Sequence, residues 1–211
     1  MSYNNSTAIV LRQVDWQEHD RLVTLFTYHL GKVSAICQGA KKSTSKLGSH
    51  LQPFALIDIE LVQGKQWQRI INIGQTKFFN NMTSALPRQM VGYFWLECVD
   101  KLTHEHSPEP KLFQLLADAF EALDRLPLDK LRLIRSAFIF KLLDISGYGF
   151  KFKHPQWQKV LRQNISEIEV NNWTDRAINE LGQQSLKILQ DKLDQPLKTL
   201  ITVRDLTPLR N

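Results

Sequence analysis

The hydrophobic period of this chain changes once, and that change constrains the fold more than any other feature. Between Thr7 and about Gln75 the apolar residues come in short runs rich in β-branched types and divided by turn residues; beyond Leu86 and Pro87 they recur at helical spacing. Ala8, Ile9, Val10 and Leu11 open the first run, and Leu22, Val23, Leu25 and Phe26 the second. A turn at Gly31 and Lys32 then leads into Val33, Ala35 and Cys37 on alternate positions, as in a hairpin. Ala55, Ile57, Ile59 and Leu61 alternate with Leu56, Asp58, Glu60 and Val62. After Gly64, Trp67, Arg69, Ile71 and Ile73 alternate with Gln68, Ile70 and Asn72. Five short strands in so few residues must close on themselves or leave long edges open, so a five-stranded OB-type β-barrel is expected.

In the second half Val91, Phe94, Trp95, Cys98 and Leu102 share one helical face, and Leu112, Leu115, Leu116, Ala119, Phe120 and Leu123 share another. Leu131, Ile134, Phe138, Leu142 and Ile145 form a third stripe, which Gly147 and Gly149 suit as a stop. Thr174 can cap a last helix carrying Ile178, Leu181, Leu189 and Leu193. The expected class is therefore α+β: an OB-type nucleic-acid-binding domain over residues 1–80, then an all-α domain over 81–211, with the boundary between Asn80 and Pro87. Residues 151–173 mix Trp157 and Trp173 with polar residues and have no clear period.

No apolar run approaches the roughly 20 residues that span a bilayer. Met1 to Thr7 is polar and uncharged, unlike a secretion signal, so the cytoplasm, near the nucleoid, is the expected location and no membrane partner is implied. Cys37 and Cys98, far apart on apolar segments, fit neither a disulfide framework nor a zinc site and read as small buried hydrophobes. The formal charge is +6, and its placement is uneven: residues 1–80 hold nine Lys and Arg against five Asp and Glu, the remainder 18 against 16. Positive charge gathered at the front suits a polyanionic partner.

Catalysis has little support. His104 and His106 would point about 200° apart on a helix, too far to share a metal. No nucleophile elbow, phosphate loop or His-Glu-x-x-His occurs. No catalytic group, metal or cofactor is assigned. The segment from Gly39 to Leu51, by contrast, joins the third strand to the fourth and combines Lys41, Lys42 and Lys46 with Ser43, Thr44, Ser45 and two glycines, a composition suited to phosphate contacts. Arg12, Lys32 and Arg69 add cations on the strands. Of the aromatics Trp16, Phe26, Tyr28, Phe54 and Trp67, the last is the best candidate for stacking on a base, because it lies between Gln66 and Gln68 and in step with Arg69.

These residues also carry a family resemblance. Ala8-x-Val10-Leu11, Trp16-x-Glu18, Leu22, Phe26-Thr27, Gly31-Lys32, Gly39-Ala40-Lys41, Ser45 and Leu51-Gln52-Pro53-Phe54 resemble the opening barrel of the RecO family of recombination and repair mediators. Phe138, Leu142, Leu143 and Gly147-Tyr148-Gly149 resemble its later helix and turn, and Gln195-Pro196-Leu197-Lys198 its carboxy-terminal Pro-Leu-Lys segment. The resemblance implies binding to single- and double-stranded DNA, annealing of complementary strands, and work with RecR in loading RecA onto DNA coated by single-stranded DNA-binding protein. It implies no enzyme activity. It also implies a helical domain that receives the acidic tail of the single-stranded DNA-binding protein, for which Arg132, Arg135 and Lys141 beside the third stripe are the candidate cations. Two departures stand out: the four-cysteine zinc module of many members is missing, and Ser49, preceded by Gly48, occupies the usual glycine position before Leu51. An RNA-binding OB protein is the alternative that the basic barrel alone permits.

Overall fold

The computed structural model describes residues 3–149, 155–168, 173–193 and 195–200. Five strands, β1 (Tyr3–Trp16), β2 (Asp20–Thr27), β3 (Gly31–Cys37), β4 (Ala55–Gln63) and β5 (Gln68–Phe78), form a closed barrel in the order β1-β2-β3-β5-β4. The period-2 pattern is the cause. Val10, Leu25, Ala35, Cys37, Ile57 and Leu61 each point into one apolar cluster, and the strand neighbours of each point away. Cys37 lies in that cluster, where burial, and then Asp20, pushes its thiol up to about 11; it is a packing residue.

Closure is economical at one seam. Every strand pair is antiparallel except β3 with β5, which run parallel and pair only at Ala35–Gln68 and Ile36–Arg69. The first half of β3 is covered instead by a non-strand segment, Thr103–Ser107. Glu105 bridges Lys32, the His106 N–H donates to the Lys32 carbonyl at 2.9 Å, and the Ser34 hydroxyl donates to the Glu105 carboxylate at 3.3 Å. Gly31 permits that approach: its φ is +71°, and a Cβ there would stand 2.2 Å from the Ser107 carbonyl oxygen. His104 and His106 thus follow a helix rather than ending one, and both are exposed.

The described residues fall into two compact units, one formed by the barrel with residues 103–113, the other by residues 80–102 and the chain from 114 onward. Helices α1 (Leu86–Leu102), α2 (Pro110–Arg125), α3 (Leu131–Ile145), α4 (Pro155–Arg162) and α5 (Asp175–Lys192) appear where the helical stripes lie, with α4 as an addition. Among the residues of that helix whose burial is described, Trp157 and Val160 are the buried anchors, too few for a legible stripe. It occupies part of the stretch without clear period, of which residues 151–154 and 169–172 lie outside the described residues. Thr174 caps α5 as expected, its hydroxyl accepting from the Ala177 N–H at 3.3 Å. Gly147, at φ +87°, ends α3, and the Tyr148 N–H donates back to the Leu143 carbonyl at 3.0 Å.

α3 is the centre of the helical unit and packs against α1, α4 and α5. Apolar residues occur all round it, so it is buried on every side from Leu133 to Leu143, not along one stripe. The fully buried Trp95 of α1 stacks on Phe138 at 4.7 Å between centroids. The segment Gln195–Leu200 is tied to α1 by Glu97, whose carboxylate accepts from the Lys198 N–H at 2.8 Å, the Thr199 N–H at 2.9 Å and the Thr199 hydroxyl at 2.6 Å. Burial alone would raise the Glu97 pKa, but the Thr199 and Lys198 hydrogen bonds and nearby Lys101 outweigh it, and the carboxyl sits below its usual value.

Two outcomes are expected. Gly31→Ala imposes both left-handed strain and a clash with the Ser107 backbone. It should therefore cost at least about 2 kcal/mol, against about 1 for Gly39→Ala, where the nearest atom is only the Lys42 side chain. Thermal unfolding of the two variants should rank them in that order. The tie at Glu97, being a depressed carboxylate, is complete above the unfolded pKa and lost as pH falls through the folded one. Amide exchange at Lys198 and Thr199, corrected for its intrinsic pH dependence, should rise in Glu97→Gln at neutral pH and in the parent only under acid.

Candidate nucleic-acid interface

The register around the barrel decides which loops meet. Val14 pairs with Leu22, Leu22 with Ile36, Ile36 with Arg69, Arg69 with Val62, and Val62 with Tyr3. The row leaves β1 near its end and returns to β1 at its start, the stagger that a tilted five-stranded barrel requires. Arg69 is thereby exposed between Ile36 and Val62, and Val14 and Tyr3 at the ends of the row are 45% and 61% exposed. This is an outward apolar surface with a guanidinium in its middle.

At the end of that surface the β1–β2 turn (Gln17–His19) meets the β4–β5 turn (Gly64–Trp67). Trp16 and Trp67 touch there edge to face, their ring centroids 6.5 Å apart and their planes at 76°. Gly64 lets the second turn close, since a Cβ on it would lie 2.3 Å from the Trp67 carbonyl oxygen. Gln17 holds the first turn with a left-handed φ of +54°. Trp67 is half-buried rather than a free surface ring, because Trp16 covers part of it.

The β3–β4 loop reaches the same end. The Gly39 N–H donates to the Asp20 carboxylate at 2.8 Å, and the Lys41 N–H to the His19 carbonyl at 3.0 Å. Lys41 Nζ lies 3.0 Å from the Asp15 carboxylate, and Arg21 approaches the same carboxylate at 3.9 Å. The loop is anchored rather than loose: Leu51 and Ala40 are buried in the barrel core and Leu47 packs against it, while Lys42 and Lys46 are exposed around this anchor. Ser49 is exposed and donates to the Lys46 carbonyl, whereas a Cβ on Gly48 would come within 2.2 Å of the Ala40 carbonyl oxygen. The close approach falls at Gly48, so the serine at the following position leaves the loop intact.

Of the candidate residues on the barrel, Lys41, Trp67 and Arg69 are gathered at this end with Lys42 and Lys46 on the adjoining loop. Arg12 is exposed on β1, just past a bulge between Val10 and Arg12. Lys32 stands apart, at the start of β3 beside Glu105, about 13 Å along the strand from Ile36. Asp15, Arg21 and Lys65 were not among the sequence candidates. The signal for the first two lay in the hairpin register, which sets Asp15 opposite Arg21 across a three-residue turn.

The candidate cations of α3 are placed differently from an open helical face. Arg132 is half-buried; Arg135 is 6% exposed, and burial, with Arg132 adding to it, pushes its guanidinium down to about 10. Lys141 is 8% exposed, and its ammonium donates to the Leu161 carbonyl at 2.9 Å and to that of Gln163. It closes the carboxy-terminal end of α4, where carbonyls lack helical partners and the helix dipole favours a cation. Among the described residues, no group of three or more His, Cys, Asp or Glu could hold a metal, and no helix is long and apolar enough to cross a membrane.

Comparison with known proteins agrees with the residue pattern. Residues 1–79 match the family described as Recombination protein O N terminal, and residues 84–160 match Recombination protein O C terminal. The DNA repair protein RecO of Geobacter metallireducens is 34% identical over 157 residues, 73% of this chain and 62% of that protein. That of Clostridium novyi is 31% identical over 153 residues, 72% of this chain and 59% of the relative. That of Geobacter sulfurreducens is 35% identical over 144 residues, 67% and 57% of the two chains. The matched stretches thus span about three-fifths of these relatives' length.

Asp15 lowers the positive charge that the barrel end offers, because its carboxylate lies against both Lys41 and Arg21. Asp15→Asn should therefore tighten binding of a single-stranded oligonucleotide at low salt and steepen the log–log salt slope by about 0.7 for each additional phosphate neutralised. Anisotropy titrations at several salt concentrations measure both, and an unchanged slope would mean that neither cation meets the ligand.

Proposed function

The chain belongs to the Recombination protein O family of DNA repair proteins, and from that premise we propose that its barrel binds single-stranded DNA and promotes the pairing of complementary strands. The observation that carries this reading is the convergence, at one end of the barrel, of a cationic loop with an aromatic pair and Arg69. Lys41, Lys42 and Lys46 supply phosphate contacts, which give affinity with little base information. Trp67 and the apolar row around Arg69 supply the wall on which unstacked bases lie. Duplex DNA engages the same cations through its backbone, without the aromatic contribution. Lys32 and Arg12 lie further along the barrel, on the path of a longer strand.

In this reading the protein carries out no chemical reaction of its own. It acts as a mediator that, with RecR, helps RecA replace single-stranded DNA-binding protein on a coated strand. The acidic tail of that protein is received by the helical unit, and Arg132, the least enclosed of the three cations on α3, is the one positioned to meet a carboxylate. Arg135 supports it from behind, and Lys141 maintains the helix packing on which the receptor depends.

The central test replaces Lys41, Lys42 and Lys46 together by Ala. Single-strand binding should weaken about equally for all sequences, and the salt slope, about −2 to −3.5 for three to five phosphates in the parent, should become shallower by roughly 2. Pairing of complementary oligonucleotides coated with single-stranded DNA-binding protein should slow in parallel. A parent that fails to accelerate pairing at any salt concentration would remove the mediator reading, and tighter binding to RNA of the same sequence would favour an RNA-binding role instead.

A further inference from the structure

The contact between Trp16 and Trp67 does more than fill space. The two centroids stand 6.5 Å apart, close to twice the roughly 3.4 Å of one base-stacking step. Turning one ring through the 76° that separates their planes would make them parallel, with room between them for one planar base. One buried polar atom belongs to the pair itself: among the described residues, Trp67 Nε1 has no hydrogen-bond partner. A buried donor left unmatched is costly, so this contact is less well satisfied than a closed core packing. Cations surround the pair, with Lys65 in the same turn, Arg69 two residues beyond Trp67, and Lys41 on the carboxylate next to Trp16.

We infer that Trp16 and Trp67 form a clamp for one unpaired nucleobase of a single strand. The base stacks between the two rings, and Lys65 and Arg69 hold the flanking phosphates. Only an unpaired base fits, because in a duplex both faces are covered by neighbours and the pairing edge is occupied. The clamp therefore distinguishes single from double strands, which the lysine loop, reading phosphates alone, does not. This inference rests on the single-strand binding proposed above and adds the feature of the strand that is recognised.

The test compares the parent with Trp67→Ala, Trp67→Phe and Trp16→Leu on three probes: an oligothymidine, a strand of the same length made of abasic residues, and a duplex. Trp67→Ala should bind oligothymidine about 5- to 150-fold more weakly, the range for the loss of one base–aromatic stack. It should bind the abasic strand and the duplex as the parent does, which also shows that the barrel is intact. Trp67→Phe, which keeps an aromatic face, should recover most of the loss, and Trp16→Leu should reproduce it in part. Equal affinity of the parent for oligothymidine and the abasic strand, or an equal loss by Trp67→Ala on all three probes, would overturn the clamp while leaving phosphate binding standing. A parent that binds none of the three would overturn both readings.

Discussion

The stagger of the barrel is the constraint from which the rest of the site follows. A row of paired residues that leaves β1 at Val14 comes back to it at Tyr3, because strands in so small a closed sheet must tilt steeply to leave room for side chains inside. Tilt brings the β4–β5 turn, which follows Val62 opposite Tyr3, to the end of β1 as well as to its start. Trp67 therefore meets Trp16, and the β3–β4 loop, tied to Asp20 and His19, arrives at the same end. The narrow parallel pairing of β3 with β5 belongs to the same geometry. Two ladder positions suffice to close the ring, and the remaining edge of β3 is protected from unwanted pairing by Thr103–Ser107.

Elements whose side chains alternate between core and solvent are legible from sequence, and those held by main-chain contacts are not. Val33, Ala35 and Cys37 announce β3 because each second side chain must enter the barrel. The segment Thr-His-Glu-His-Ser carries no such pattern, since it joins the barrel through the His106 N–H and the Glu105 carboxylate, and only the conformation of Gly31 leaves room for it. α3 is readable as a helix but not as the central one, because a stripe describes one face and says nothing of Leu133, Phe140 and Ala137 on the others. Lys141 shows the limit most clearly. A cation beside an apolar stripe reads as surface charge, yet its long stem delivers the ammonium to the open carbonyls of α4.

Formal charge likewise overstates what the barrel end can offer a polyanion. Lys41 and Arg21 share the Asp15 carboxylate, and Lys32 lies toward the far end of its strand next to Glu105. Among the described residues, the cations that project at this end without such a carboxylate contact are those of the loop and its surroundings, Lys42, Lys46, Lys65 and Arg69. The positive excess of the first 80 residues is therefore concentrated rather than spread. An exposed ion pair such as Asp15–Lys41 contributes little to stability, because water solvates both partners nearly as well apart. Its small strength is what makes it exchangeable: a phosphate can displace the carboxylate with little effect on the fold.

In the function proposed for the barrel, phosphate contacts and ring contacts divide the work according to their physics. Cations fix a strand by counterion release, which is independent of sequence and acts equally on paired and unpaired DNA. Discrimination must come from something that only an unpaired nucleotide exposes, its two faces and its pairing edge. An aromatic pair can read the faces only if it is held at a spacing near two stacking steps, and here that spacing is set by backbone. Gly64 allows the β4–β5 turn to close beneath Trp67, and the left-handed Gln17 sets the turn that follows Trp16. The two turns carry no element of the core, so their geometry is free to serve the ligand, and the barrel beneath them holds the two rings next to one another, one ring's rotation away from a parallel pair.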